Sequence, residues 1–218
     1  MTILAVNQTS DRRARERAQR AAEILAAARR VFLERGYAGA TMDEVARAAQ
    51  FSKPTLYQYF ENKDALFFSL TMPVAIELGA ALDEAWQQAS EGGFRTGREL
   101  IRALFGAMHR AYAVDPDGLR LLQLVQQADL LGQMSDGVQG ELDRLGRKNF
   151  QRGRQLLELG MKKGLLRRQD ARPLLDVAWG SFIGIVGLES IKRRGTGRDH
   201  LERTLALAED ILAGAVAK

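Results

Sequence analysis

Apolar residues recur at three- and four-residue spacing along most of the chain, and no stretch alternates residue by residue as a strand would. Ile24, Leu25, Ala28, Val31 and Phe32 form the first apolar stripe, and Gly36 is placed to end that helix as a left-handed cap. The break at Gly39-Ala40 leads to Thr41, which pairs with Glu44 as N-cap and N3 of a second helix. Val45, Ala46 and Ala49 share the apolar side of that helix. Ser52 caps a third helix and Pro54 sits in its first turn, where the missing N–H costs nothing. Leu56 and Phe60 lie four apart and face inward. A fourth helix starts near Asn62, has Asp64 in its first turn, carries Leu66, Phe67 and Leu70, and is expected to kink or end at Pro73. From Val74 on, the spacing predicts helices near 74–90, 97–114, 117–131, 135–164, 171–193 and 199–216. Breaks fall at Gly92-Gly93, Asp115 to Gly118, Gly132, Gly164 and Gly195-Thr196-Gly197. Glycines inside 135–164 suggest that this span divides in two. The fold class is all-α, with about nine or ten helices.

Residues 41 to 64 carry the most information. Two short capped helices meet at a tight turn, and the second leaves Lys53, Thr55, Tyr57, Gln58 and Tyr59 facing out. A helix that buries one edge and shows donors on the other is what a reader of the DNA major groove requires, so the segment is a helix-turn-helix. The wider run 26–66 resembles the N-terminal DNA-binding domain of TetR-family transcriptional regulators. The resemblance rests on Phe32 with Gly36-Tyr37, on Thr41, on Ser52 to Tyr57, and on Tyr59-Phe60 followed by Asn62-Lys63 and Ala65-Leu66.

The resemblance implies that Lys53, Pro54, Thr55, Tyr57, Gln58 and Tyr59 line the groove-facing side, with Thr41 and Lys63 at helix N-termini beside phosphates. Free N–H groups and a positive dipole end suit an anion there. Tyrosine and lysine contacts to phosphate set register. Base reading would then fall on Lys53, Gln58, and Pro54 or Thr55, each direct hydrogen-bonded pair worth roughly 1–3 kcal/mol. Two departures from the family pattern stand in the turn: Gln50 where glycine is usual, and Phe51 in place of a smaller aliphatic residue. A non-glycine residue in a left-handed conformation costs about 1–2 kcal/mol.

Composition adds little to this. The 218 residues are 46% hydrophobic and 27% charged, with four prolines and no cysteine, so disulfide and thiolate chemistry are absent. A net charge of +5 suits an anionic partner without requiring one. Five arginines within residues 11–20 read either as a solvated helix start or as a basic arm for phosphates. The domains are then 1–15, a disordered or basic N-terminal arm, 16–71, the DNA-binding domain, and 72–218, a ligand-binding and dimerisation bundle. The longest apolar run, Val177 to Leu188, is interrupted by glycines and a serine, so no membrane span is expected and the protein is placed in the cytoplasm. Neither histidine stands in a metal-ligand or Ser-His-Asp pattern, and GTG at 195–197 follows no strand. No enzyme, cofactor or metal is expected.

The resemblance also implies a pocket within the bundle for a small hydrophobic or aromatic effector. Candidates for its lining are Phe105, Met108, His109 and Tyr112, repeating at three and four, with Gln127, Phe150 and Trp179. Each of these reads equally as core. The segment 176–191 has glycines at 180, 184 and 187 and is apolar nearly all round, either as a buried helix or as a subunit interface. On the second reading Trp179, Ile183, Gly184 and Gly187, with the helix around Asn149 to Leu159, would form a homodimer that presents two recognition helices to a pseudo-palindromic operator. The function implied is a ligand-released repressor. The alternative is a DNA-binding regulator controlled by a protein partner, or one with no small-molecule effector.

Overall fold

The computed structural model describes residues 2–127, 130–192 and 198–218, and their side chains except for 2–11, 126, 127, 131, 190–192, 198 and 199. Among the described residues the regular elements are nine α-helices and one short 3-10 turn. The helices are α1 (Thr2–Gly39), α2 (Met42–Ala49), α3 (Lys53–Tyr57), α4 (Lys63–Ser90) and α5 (Gly97–Val114). They continue with α6 (Pro116–Gln127), α7 (Asp136–Lys162), α8 (Ala171–Lys192) and α9 (Arg198–Val216). Leu130–Gln133 forms the 3-10 turn, so α6 ends short of the expected 131. The break expected at 195–197 lies outside the described residues.

Two compact units partition the chain. The first comprises Met1–Met72 and Asp117–Gly140; the second comprises Pro73–Pro116 and Glu141–Lys218. The first unit therefore takes in 117–140 as well as the chain before Pro73.

Ile24, Ala28, Val31 and Phe32 of α1, Val45 and Ala46 of α2, Leu56 of α3, and Leu66, Phe67 and Leu70 of α4 form the buried interior of the first unit. Gly36 leaves helical geometry at φ 70°, a value only glycine adopts without steric cost, and α1 bends there. The bend delivers Tyr37 to an aromatic cluster, its ring centroid 6.2 Å from Phe32 and 5.2 Å from Phe67. The Tyr37 hydroxyl donates to Asp64 Oδ1, and the backbone N–H of Ser135 donates to Asp64 Oδ2 at 2.7 Å. One carboxylate thus ties the end of α1, the start of α4 and the 117–140 segment together. Burial alone would raise the Asp64 pKa. The bonds from Tyr37 and Ser135, with Lys63 nearby, overcome that and hold it below the ordinary aspartate value.

In the second unit α5 packs on α8 and α9, and α8 packs on α9. Leu100, Ile101, Leu104, Leu156, Leu157, Leu166 and Phe182 are almost fully buried. The C-terminus closes this unit: the Arg167 N–H donates to the Val216 carbonyl at 2.8 Å, and the Lys218 N–H to that of Leu165 at 3.1 Å.

Four expectations need correction. The first helix begins at Thr2, so the expected disordered leader is helical; no proline or glycine precedes Gly36 to stop it. Pro73 neither ends nor divides α4. It stands on the exposed side of the helix, where hydrogen bonds are already the weakest, while Leu70, Val74 and Leu78 are buried around it. Residues Asp136–Lys162 form one helix in spite of their glycines. A Cβ at Gly153 would lie 3.0 Å from Leu175 Cδ1, and one at Gly160 would lie 2.6 Å from Leu100 Cδ1, so close packing overrides helix propensity. Finally, α4 and the Ala171–Glu189 part of α8 are long and apolar enough to cross a membrane by length and composition. Half and a third of those apolar windows, respectively, are buried within the protein.

Because Asp64 has a depressed pKa in the folded chain, its contribution to stability is complete above about pH 4 and is lost as pH falls through the depressed value. Asp64→Ala should cost about 1–3 kcal/mol near neutral pH, since it leaves the Tyr37 hydroxyl and Ser135 N–H unmet. The deficit relative to wild type should shrink in acid; urea denaturation at pH 7 and pH 3 checks both statements.

Candidate nucleic-acid interface

The interface is built by two caps and one strained residue. Thr41 Oγ1 accepts from the Glu44 N–H at 3.3 Å while the Glu44 carboxylate accepts from the Thr41 N–H at 3.0 Å, the reciprocal box that the sequence suggested. The Thr41 hydroxyl also donates to Glu44 Oε2 at 3.0 Å and contributes most to depressing the Glu44 pKa, with the Thr41 N–H and Arg35, at 2.9 Å, adding to it. Gln50 closes α2 at φ 60°, ψ 32°, a left-handed residue where the family pattern has glycine. Its N–H reaches the Arg47 carbonyl, and the Phe51 N–H reaches that of Ala46 at 3.0 Å, so the last carbonyls of α2 are satisfied through the turn. Ser52 then accepts from the Thr55 N–H at 3.2 Å and opens α3, with Pro54 in the first turn.

Leu56 is fully buried and anchors α3, while Lys53, Pro54, Tyr57 and Gln58 are exposed and Thr55 and Tyr59 half-exposed. At 45% exposure the Tyr57 ring lies open to a partner rather than serving as core. Lys53 Nζ pairs with Asp43 Oδ1 of α2 at 2.7 Å. Lys63 is engaged within the protein: Nζ donates to the Tyr37 carbonyl at 2.9 Å and lies 4.3 Å from that residue's ring centre. Thr41 is exposed at the N-terminus of α2. The eight residues named for DNA contact therefore share the α2–α3–α4 region, six of them on α3 or the two residues after it.

Two residues of this region were not singled out from sequence. Arg17 of α1 donates from Nη2 to the Gln58 carbonyl at 3.1 Å and lies 4.9 Å from the Tyr59 ring centre, bracing the end of the recognition helix. Asp43 is the partner of Lys53. Neither has a local signal, because each is defined by a neighbour in a different helix. Arg12, Arg13, Arg15, Arg17 and Arg20 are all exposed.

Of the seven candidate pocket residues Gln127 belongs to the first unit, and the six in the second unit do not line one cavity. Met108, Phe150 and Trp179 line an apolar cavity of only about 20 Å3 with Leu78, Leu82 and Leu104. Phe105 and His109 line a separate groove of about 180 Å3 between α5 and α9. The Tyr112 ring lies 6.2 Å from that of His109, and the side chain of Gln127 lies outside the described residues. On α8, Gly184 is exposed and Ile183, Trp179 and Gly187 are half-buried. Asn149 is buried and donates to the Ala75 carbonyl at 2.8 Å, and Leu156 and Leu157 are core, while Phe150, Gln151 and Glu158 of the same α7 stretch are exposed. Exposed apolar side chains of this unit include Ile76 of α4, Val114 of α5, Phe150 of α7, Val177 and Leu188 of α8, and Leu207 and Ile211 of α9. The four-residue spacing of the last two was readable in the sequence.

The capped pair α2–α3, with α3 facing outward, forms a helix-turn-helix, the arrangement that a reader of the major groove requires. Residues 24–70 match the family model of bacterial regulatory proteins, tetR family. The chain is 33% identical over 106 residues to the HTH-type transcriptional activator FasR of Mycolicibacterium smegmatis, a match spanning 49% of this chain and 46% of that protein. It thus spans about half the length of that relative. To the HTH-type transcriptional repressor DhaR of Mycobacterium sp. strain GP1 it is 25% identical, over 84% of this chain and 86% of that one. Among solved structures, the TetR family transcriptional regulator PfmR of Thermus thermophilus superposes with a TM-score of 0.68 at 18% identity, covering 87% and 96% of the two chains, and so shares the fold. Residues 24–70 are thus similar to the tetR family of bacterial regulatory proteins, and the chain shares its fold with a TetR family transcriptional regulator.

Gln50→Gly should relieve the left-handed strain and stabilise the protein by about 0.5–1 kcal/mol, the gain being reduced by the greater freedom of glycine in the unfolded chain. A higher urea midpoint with an unchanged slope is the expected result.

Proposed function

We propose that the protein is a homodimeric, cytoplasmic transcriptional repressor that binds a pseudo-palindromic operator through two copies of α3 and leaves it when a small molecule occupies the second unit. The observation that carries the DNA-binding part is the disposition of α3: one buried leucine, two caps, and a continuous outer side of Lys53, Pro54, Tyr57 and Gln58. Helix N-termini at Thr41 and Lys63 add oriented N–H groups for phosphates, and the arginines of α1 add a screened, sequence-independent attraction.

Support for the dimer is a stripe of exposed side chains. Val177, Gly180, Ser181, Gly184 and Leu188 follow one another along α8, and Leu207, Ile211 and Gly214 along α9. Ile211 is 66% exposed, and a Cβ at Gly180, Gly184 or Gly214 would meet nothing within 4 Å. Open apolar side chains flanked by glycines suit close approach by a second helix pair, and a two-fold axis would then set the spacing of the recognition helices. Control by a ligand requires that the ligand bind one arrangement of the protein better than the other. The 20 Å3 apolar cavity favours a second reading, in which the bundle is filled by its own side chains and the regulator answers to a protein partner or to no effector.

Binding to DNA immediately upstream of the protein's own gene, compared with a scrambled fragment near physiological salt, tests the main reading. We expect discrimination of roughly 10³-fold and a two-fold symmetric footprint; equal, steeply salt-dependent binding to both fragments would remove it. Gly184→Arg should give a folded monomer by sedimentation, with helical circular dichroism retained and the footprint lost. A variant that stays dimeric would place the interface elsewhere.

A further inference from the structure

Arginines of α1 hold the helix-turn-helix at three points. Arg35 pairs with Glu44 at the start of α2 at 2.9 Å, and Arg30 Nη2 stands 3.5 Å from the Ala48 carbonyl near its end. Arg17 Nη2 donates to the Gln58 carbonyl at 3.1 Å, and of the three it alone reaches past α2 to the end of α3. Its place on α1 explains that reach. Arg17 stands about two turns before Ile24, so it continues the face that farther along buries Ile24, Ala28 and Val31. Past the edge of the core that face carries a guanidinium in place of an apolar side chain. Toward the start of α3 the two helices stand apart, across a groove of about 690 Å3 lined by Gln19, Arg20, Phe51 and Thr55.

The Gln58 carbonyl needs a donor from outside its own segment. The Gln58 N–H turns back to the Thr55 carbonyl, and the N–H groups of Tyr59 and Phe60 both go to Leu56. Among the described residues no backbone N–H meets the Gln58 carbonyl, and Arg17 supplies the donor, a cation at the negative end of a helix. The same guanidinium lies over the Tyr59 ring, 4.9 Å from its centre. A planar group bonded at its edge and stacked on its face has few orientations left. Gln58 is exposed, and its side-chain amide carries a donor and an acceptor together, the pair that matches the adenine edge. On a loose helix end that amide would have to be ordered at each encounter; on a fixed carbonyl it starts near the productive direction. We propose that Arg17 is a positioning residue for sequence discrimination, which holds the Gln58 carbonyl and the Tyr59 ring and so fixes the direction of the Gln58 side chain. The proposal rests on the reading of α3 as the groove-facing helix.

The competing role for Arg17 is a plain phosphate contact, and a change that keeps the charge separates the two. Arg17→Lys retains the cation and loses the planar fork. Sites that the full wild-type chain selects from a random duplex pool serve as specific DNA, with unselected duplex as the reference. Arg17→Lys should bind unselected duplex as wild type does, with the same salt slope, which also shows that the variant is folded. Its discrimination in favour of the selected site should fall by about tenfold. In a Gln58→Ala chain, adding Arg17→Lys should change discrimination by less than about twofold, because the group that Arg17 positions is gone. Wild-type discrimination by Arg17→Lys, equal weakening on both DNAs, or an undiminished effect in the Gln58→Ala chain would each overturn the proposal and leave the groove-facing reading of α3 intact. A wild-type chain that selects no site would remove that reading and the proposal together.

Discussion

A recognition helix of five residues cannot hold itself together. Helix nucleation fixes several residues before any hydrogen bond offsets the lost entropy, and an isolated segment of this length is unfolded in water. Everything around α3 answers that constraint. Gln50 turns the chain out of α2, Ser52 caps the start of α3, Leu56 anchors it in the core, and Arg17 grips the carbonyl just past its end. The outer residues are free to meet DNA because none of them is needed for these tasks. The aromatic cluster of Phe32, Tyr37 and Phe67, with Asp64 joined to Tyr37 and Ser135, fixes the frame on which the caps sit.

Local signals made this unit legible from sequence. Caps, glycine breaks and an apolar period of three to four act over a few residues, and Thr41-Glu44, Ser52-Thr55 and Gly36 all behave as their neighbours dictate. What sequence missed is long-range. Pro73 reads as a break because the local rule ignores the buried stripe on the other side of α4. The Lys53–Asp43 and Arg17–Gln58 pairs join residues whose adjacency exists only after folding.

Glycines in the second unit show how one residue type serves opposite purposes. Gly153 and Gly160 of α7 are small because Leu175, Leu100 and Leu166 press on them; they are packing residues that leave no surface. Gly180, Gly184 and Gly214 have no neighbour within 4 Å and sit among exposed apolar side chains. Sequence spacing treats the two sets alike. Only the surroundings of the absent side chain separate a filled contact, as on α7, from a vacant one, as on α8 and α9.

The Lys53–Asp43 pair has an effect that reaches beyond the folded monomer. Asp43 gives Lys53 a carboxylate before any nucleic acid arrives, so a stray phosphate encountered along random duplex must displace an existing partner and approach a fixed negative charge. A base acceptor in a correctly aligned groove offers directional hydrogen bonding in exchange; a single phosphate does not. On the proposed reading of α3 as the groove-facing helix, this exposed pair, worth at most about 1 kcal/mol, tilts the balance slightly toward the matched site. In a genome where wrong sites outnumber the right one by many orders of magnitude, weakening the wrong complexes is as useful as strengthening the right one.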